Sequence, residues 1–234
     1  MDWQLQKFDD LLDTLALPAM HEDDSVEQAY CAVLNRLSSD RSAAKLLEAI
    51  HQRWLSQTEF IPTAAKLLFQ LRNHATRGGS LTFASLSYCT VMTDYKERES
   101  IRLHNLQMFC NSVSFAFHYY ELFRDQGVLF RSLPELLFEY LLMLIEEETV
   151  CSLTLDLLID VLGKYGQFFA TVEYARVMQI LLKLRRTLIE NRLNLNRELR
   201  ARILETIEIA SHSWSRNKLP YEVVQLYDDV LERY

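Results

Sequence analysis

The stretch "ILETIEIASHSWSRNKLP", from Ile203 to Pro220, joins an apolar run to a tryptophan and two basic residues. Its apolar residues continue a row spaced by four, four, three and four positions: Leu199, Ile203, Ile207, Ala210 and Trp214. This spacing predicts one face of an α-helix. We therefore expect Trp214 to be a core residue or a plug at the helix end, and not a ligand platform. Arg216 and Lys218 are expected in solvent beyond the C-terminal carbonyls, where cations are favoured.

The same helical spacing recurs along most of the 234 residues. It predicts helices near Trp3–Ala16, Ser25–Leu37, Ser42–Gln57, Pro62–Ala75, Phe83–Glu97, Ile101–Phe123, Pro134–Glu146, Thr149–Leu162, Thr171–Arg192, Arg197–Ser213 and Tyr221–Arg233. Gly163 and Gly166 are expected to end the eighth of these. No alternating strand pattern bounded by hairpin turns occurs. The sequence therefore predicts an all-α fold, specifically an α-solenoid of stacked antiparallel helix pairs (HEAT-like, armadillo-type superhelix).

Composition limits the compartment and the class of protein. The four cysteines, Cys31, Cys89, Cys110 and Cys151, are too far apart for a Cys-x-x-Cys pair, and we expect small core residues in a reducing compartment. The N-terminus lacks the basic start and apolar run of a signal peptide. No run of about 18 uninterrupted apolar residues occurs, so the sequence predicts no membrane span. These features favour the cytosol or the nucleus and no membrane partner.

Charge is distributed unevenly around the net value of −7. Residues 1–29 contain eight acidic side chains and one lysine, a net charge of −7. Residues 176–202 contain eight basic side chains and two glutamates, a net charge of +6. Such asymmetry bears on the choice of partners more than on the fold.

The basic tract and its extension give the candidate binding residues: Lys183, Arg185, Arg186, Arg192, Arg197, Arg200, Arg202, Arg216 and Lys218. On the first helix of the tract the inner face is filled by Val177, Ile180, Leu181, Leu184 and Leu188, so most cations should point outward. Two interpretations remain open: a solvated face, or a docking surface for phosphates or an acidic protein. Aromatic residues are absent from 176–202, so any RNA contact should be to the backbone and depend strongly on salt.

Motifs for chemistry are missing, and we expect a protein that is not an enzyme and holds no metal or cofactor. The turn "RGGS" (Arg77–Ser80) lacks the lysine and spacing of a phosphate loop. The six histidines show no paired spacing for a metal, and the run from Glu146 to Glu148 should fan outward into solvent. One predicted helix carries six aromatic residues that we expect in the core: Phe109, Phe115, Phe117, Tyr119, Tyr120 and Phe123. The exception that we expect among them is Tyr119.

Several segments resemble the middle domain of the translation-initiation scaffold 4G, the MIF-4G fold. The segment "LETIEIASHSW" (Leu204–Trp214) is similar to its last conserved helix. "AVLNRLSSDRSAAKLLEAI" (Ala32–Ile50) resembles its first repeat, and "LTLDLLIDVLGKYGQFFA" (Leu153–Ala170) a later one. Tyr120 replaces a family glycine, so the resemblance leaves open whether the helicase site is retained. Among the short or divergent members, the N-terminal domain of Mextli-type translation factors is one candidate relative.

The resemblance implies a domain organisation and a function. It implies a MIF-4G-like HEAT domain over 25–218. Charge and helical spacing predict an acidic N-terminal helical leader over 1–24 and a capping helix over 219–234. The resemblance further implies a cytoplasmic, non-catalytic scaffold in translation initiation that binds a 4A-type helicase, factor 3, the cap-binding complex or RNA. The same fold also serves nonsense-mediated decay, nuclear cap binding and mRNA processing, which remain the alternative. The helical pattern runs to Tyr234, so we also expect other domains in the same polypeptide.

Overall fold

A computed structural model describes residues 40–73, 82–124, 132–190 and 193–232. Within these ranges there is no strand element, and the α-helices are α1 (Asp40–Ser56), α2 (Ile61–Leu71), α3 (Phe83–Lys96), α4 (Arg98–His104), α5 (Leu106–Phe123), α6 (Leu133–Leu144), α7 (Ser152–Glu190), α8 (Arg197–Ser211) and α9 (Tyr221–Val230). The predicted all-α class is confirmed for the described residues. Helix-pair packing inside each unit is compatible with the predicted solenoid.

Some predictions concern residues outside the described ranges. These are the helices at 3–16 and 25–37, the acidic leader at 1–24, Cys31 and the "RGGS" turn. The described chain divides into two compact units, Met1–Leu136 and Leu137–Tyr234, with the boundary inside α6. The predicted boundaries at 25 and 218 stay a prediction.

In the first unit, α1 and α2 pack on the aromatic helix α5. The rings of Trp54 and Phe115 are stacked, with centroids 3.7 Å apart, and Tyr119 stacks on Phe123 at 4.1 Å. All six aromatic residues predicted for this core are buried. The prediction that Tyr119 is the exception was wrong, because this residue is 0 % exposed. Its hydroxyl lies 2.9 Å from Ser87 Oγ. That hydrogen bond allows a tyrosine to occupy the core.

A buried amide fixes the turn between α1 and α2. Asn111, on α5, is 1 % exposed, and its Nδ2 donates to the Leu55 carbonyl at 2.9 Å. Its Oδ1 accepts from Thr58 Oγ1 and from Gln107 Nε2, each at 2.9 Å. The Leu55 carbonyl belongs to the last turn of α1, where helices leave acceptors without intrahelical partners. Asn111 therefore ties the end of α1 to the side of α5.

The predicted helix over 101–123 is interrupted in the structure. Asn105 adopts an extended conformation, with φ −156° and ψ 109°, and separates α4 from α5. Its side chain accepts from the backbone N–H groups of Gln107 at 2.9 Å and Met108 at 3.2 Å. Asparagine is a preferred N-cap because its side chain satisfies such free donors. Apolar periodicity alone does not reveal this break.

The glycines of the second unit do not end a helix, contrary to the prediction. The helix α7 runs through Gly163 and Gly166 and kinks at Glu173, which has φ −151° and ψ 78°. The kink divides α7 into a part at 152–172 and a part at 174–190. Phe138, from α6, packs edge-on against Phe169 of α7, with ring centroids 4.6 Å apart.

Candidate functional site

The candidate site lies in the second unit, on the 174–190 part of α7 and on α8. The inner face predicted for 174–190 is confirmed at four positions, Val177, Ile180, Leu181 and Leu184, which are buried, while Leu188 is half-buried. Asn196 is the N-cap of α8, and its Oδ1 accepts from the Leu199 N–H at 2.7 Å. Leu199, Ile203 and Ile207 are buried along α8, as the opening stretch predicts. The exposed residues of these helices include Lys183 on α7 and Arg197 and Arg200 on α8.

Two of the predicted surface cations instead hold helices together. Arg202 donates to Asp156 Oδ1 and to Asp160 Oδ1, both at 2.5 Å, and so joins α8 to the first part of α7. Burial, together with the nearby carboxylates of Asp160 and Glu198, raises the pKa of Asp156 although Arg202 lowers it. Arg202 is a structural residue because both carboxylates lie on the neighbouring helix.

Arg216 is the second correction to the predicted basic face. Its Nε donates to Glu205 Oε1 at 2.8 Å, and a terminal nitrogen donates to Asp228 Oδ1 at 2.5 Å. Glu205 is buried on α8, and Asp228 lies on α9. The hydrogen bond to Glu205 is the main cause that raises the pKa of Arg216. Arg216 thus links α8 to α9 and does not stand in solvent as expected.

The other predicted cations divide by exposure. Arg186 is exposed, and its Nε lies 2.9 Å from Glu190 Oε1 in an ion pair. Arg192 lies outside the described residues. Arg185 is half-buried, and its side chain has no hydrogen bond or ion pair within the described part of the chain. Four cations are exposed, as predicted: Lys183, Arg197, Arg200 and Lys218. Arg197 and Arg200 lie three positions apart on α8, on neighbouring turns of one face.

The predicted tryptophan plug is present, but it is not helical. The helix α8 ends at Ser211, and Ser213 and Trp214 have φ values of 60° and 59°. The Trp214 N–H donates to the Ile209 carbonyl at 2.8 Å, as in a Schellman-type helix end. The half-buried ring covers Gly166, and three of its atoms lie within 3.0 Å of where a β-carbon would be. Gly166 is therefore required for close approach of the ring.

A cavity of about 150 Å³ opens between the 174–190 part of α7 and the end of α8. Tyr174, Met178 and Arg185 line it from α7, and Ala210 and Trp214 line it from the other side. A cavity of roughly 150 Å³ holds a group the size of a benzene ring. None of its lining residues among the described ones is a carboxylate.

A partly exposed row of four apolar residues and one arginine borders this cavity. We name it the heptad row, because its members are spaced by three, four, three and four: Ala175, Met178, Leu182, Arg185 and Ile189. Leu182 is 59 % exposed and Ile189 is 83 % exposed, while Tyr174 beside them is 65 % exposed. Single exposed apolar residues are common, but two in register on one helix face next to a cavity form a patch.

A second cavity, of about 270 Å³, lies between the loop after α6 and the end of α7. Lys183 and Arg186 line it together with Glu147 and Glu190, so the charges balance. Glu147 and Glu148 are exposed, as predicted for the solvated run, while Glu146 is half-buried. The ion pair between Arg186 and Glu190 crosses one helical turn along the wall of this cavity.

The remaining candidate groups for chemistry are dispersed. Within the described ranges, no group of three or more His, Cys, Asp or Glu side chains could hold a metal ion. His51 Nε2 lies 2.8 Å from Asp94 Oδ1, a satisfied packing histidine as expected. Cys110 is buried and Cys151 half-buried, but Cys89 is exposed, so the prediction of a core residue was wrong there. No helix in the described part of the chain is long and apolar enough to cross a bilayer.

Sequence reasoning found the cations but missed the heptad row and the carboxylate partners. A signal for the row was present, because Leu182 and Ile189 lie outside the face that Val177, Ile180 and Leu184 already fill. Asp160 lies 42 residues from Arg202 and Asp228 lies 12 residues from Arg216, so no local pattern marks these partners.

Comparison with known proteins adds no identity: no family model matches this chain, and no curated protein matches it.

Proposed function

We propose that this chain is a non-catalytic scaffold that binds initiation factors, RNA or both through the outer faces of its second unit. The observation that carries the proposal is the pairing of exposed cations with an exposed apolar row on two adjoining helices. Exposed apolar patches rimmed by polar residues mark interaction sites, and cations attract phosphate groups and acidic proteins. The resemblance of the sequence to the MIF-4G domain supports the choice of translation initiation and of the cytoplasm.

We assign partner binding to a subset of the predicted cations. Arg202 and Arg216 already bind carboxylates within the unit, so their positive charge is largely neutralised. The exposed residues Lys183, Arg197 and Lys218 are the ones we assign to partner binding. Contacts of this kind to phosphates release counterions, so RNA binding should weaken steeply as salt rises.

The test is co-purification of the 4A-type helicase, factor 3, the cap-binding complex and RNA at low and moderate salt. The binding variant is Lys183→Glu/Arg197→Glu/Lys218→Glu. An acidic side chain in the first turn of α8 is favourable to the helix, so this variant should fold. The control variant makes the same change in net charge on exposed residues of the first unit: Lys66→Glu/Lys96→Glu/Arg124→Glu.

The binding variant should lose initiation factors or RNA, whereas the control variant should keep them. Equal recovery with both variants would remove the basic face from the proposal. Recovery of decay or splicing factors without any initiation factor would instead assign the scaffold to another RNA pathway.

A further inference from the structure

The heptad row and the cavity beside it form one surface that fits a partner helix. We propose that this surface binds an amphipathic α-helix of a partner protein, with an apolar face and a carboxylate placed opposite Arg185. The inference rests on the proposed binding function and specifies one kind of partner for it. Helix-in-groove recognition uses apolar anchors spaced by three and four residues, which is the spacing of this row.

Geometry sets the length and the packing of the partner. The row extends over 15 residues from Ala175 to Ile189, and the 14 steps between them span about 21 Å at about 1.5 Å per step. A partner helix of about four turns would cover it. Spacing by three and four on both helices gives a crossing angle near 20° and the knob-and-hole contacts of a coiled coil.

The cavity supplies an anchor point in the middle of this surface. Met178 and Arg185 belong both to the row and to the cavity wall, so a helix lying on the row passes over the opening. Its size, about 150 Å³, fits one large apolar side chain. Binding energy concentrates where such an anchor enters a pocket with aromatic walls, and Tyr174 and Trp214 provide those walls.

Charge decides which helix fits. Arg185 lies within the row without a carboxylate partner in the described part of the chain, and Lys183 is exposed one position from Leu182. A polar residue inside an apolar seam specifies register, and here it requires an acidic residue across the interface. A second copy of this chain packed row against row would place no carboxylate of the row opposite Arg185. A bilayer would need a broader apolar face than one row of side chains.

The test measures binding of the full chain to a labelled synthetic peptide of about four helical turns, by fluorescence anisotropy. The peptide has leucine at the two seam positions of each heptad and glutamate at the flanking positions. A second peptide has lysine in place of every glutamate. The protein variants are Leu182→Asp and Arg185→Glu, with Leu103→Asp as the matched control. Leu103 is 78 % exposed on α4 of the first unit, so it undergoes the same chemical change away from the surface.

We expect the glutamate peptide to bind and Leu182→Asp to weaken it by about tenfold or more, while Leu103→Asp leaves it unchanged. Arg185→Glu should reverse the preference towards the lysine peptide. Circular dichroism confirms that each variant is folded. The inference is overturned if neither peptide binds, or if the variants at 182 and 103 weaken binding equally. It is also overturned if sedimentation shows a dimer that Leu182→Asp dissociates, or if anionic vesicles bind and the peptides do not.

The two proposals fail separately. The peptide experiments leave Lys183, Arg197 and Lys218 unchanged. The co-purification test replaces these three residues with glutamate. Loss of initiation factors in that test without any peptide binding would refute only the helix-binding surface. Peptide binding without any initiation factor or RNA would refute the translational role and keep the surface.

Discussion

The contact between Gly166 and Trp214 can be tested with a matched control position in the same helix. Gly163 and Gly166 both lie inside α7. A β-carbon at Gly163 meets nothing within 4 Å, whereas one at Gly166 would overlap the indole ring of Trp214. Alanine at the two positions therefore tests the packing of the plug with the same chemical change in the same helix.

The expected effects have opposite signs. Alanine is favoured over glycine in a helix by about 0.8–1 kcal/mol, so Gly163→Ala should stabilise the fold by roughly that amount. Gly166→Ala gains the same helical term but must displace the ring, and overpacking costs typically about 1–3 kcal/mol. The variants should thus differ by about 1–3 kcal/mol, with Gly166→Ala the less stable. For a chain of this size each kcal/mol corresponds to about 2–4 °C in melting temperature.

The assay is urea and thermal unfolding followed by far-ultraviolet circular dichroism. Emission of Trp214, in a background where Trp3 and Trp54 are phenylalanine, reports the ring directly. Its emission maximum should move to longer wavelength in Gly166→Ala and stay in place in Gly163→Ala. Equal stabilisation of both variants, with unchanged emission, would refute the assigned packing of Trp214 on α7.

Three further predictions concern polar contacts. Arg216→Met should destabilise the fold by about 2–3 kcal/mol in urea unfolding because it strands the buried Glu205, and adding Glu205→Gln should recover part of the loss; full stability of the single variant would contradict the clamp. Asn111→Ala should cost about 1–3 kcal/mol by the same assay, since it leaves a buried carbonyl without its donor, and an unchanged midpoint would argue against this role. The raised pKa of Asp156 means that its carboxyl group binds a proton more tightly in the folded state than in the unfolded state. The wild type should therefore lose stability relative to Asp156→Asn as pH rises past the ordinary carboxyl pKa. Unfolding measured across that pH range checks this, and a gain in the stability of the wild type would contradict it.

The all-α class was predictable from the sequence because apolar periodicity is local and recurs in nearly every segment. The inner face of 174–190 and the buried aromatic helix α5 both follow from it. Tyr119 was misjudged because its burial depends on the hydroxyl of Ser87, which comes from another helix. The break at Asn105 also escaped prediction, because its capping geometry competes with a periodic pattern that continues past it. The helix predicted over 197–213 ends at Ser211, two residues earlier than expected.

The candidate site was predictable only in part. A count of charges locates the basic tract, but the count cannot tell a solvent-exposed cation from one held by a carboxylate. Arg197 and Arg202 look alike in sequence, yet Arg197 is exposed and Arg202 is bound by two aspartates. The difference arises from tertiary packing of α8 on α7. The cavity beside Trp214 exists only because the chain turns back after Ser211, which no local pattern shows.

In the proposed function, the second unit binds translation partners through Lys183, Arg197 and Lys218. Its most direct test is a titration of the purified full chain against the 4A-type helicase, the factor 3 complex and single-stranded RNA at low salt. We predict saturable binding to at least one of them, weakened by the charge reversals of the second unit and not by those of the first. Absence of binding to all three, or equal weakening by both sets of reversals, would contradict the claim.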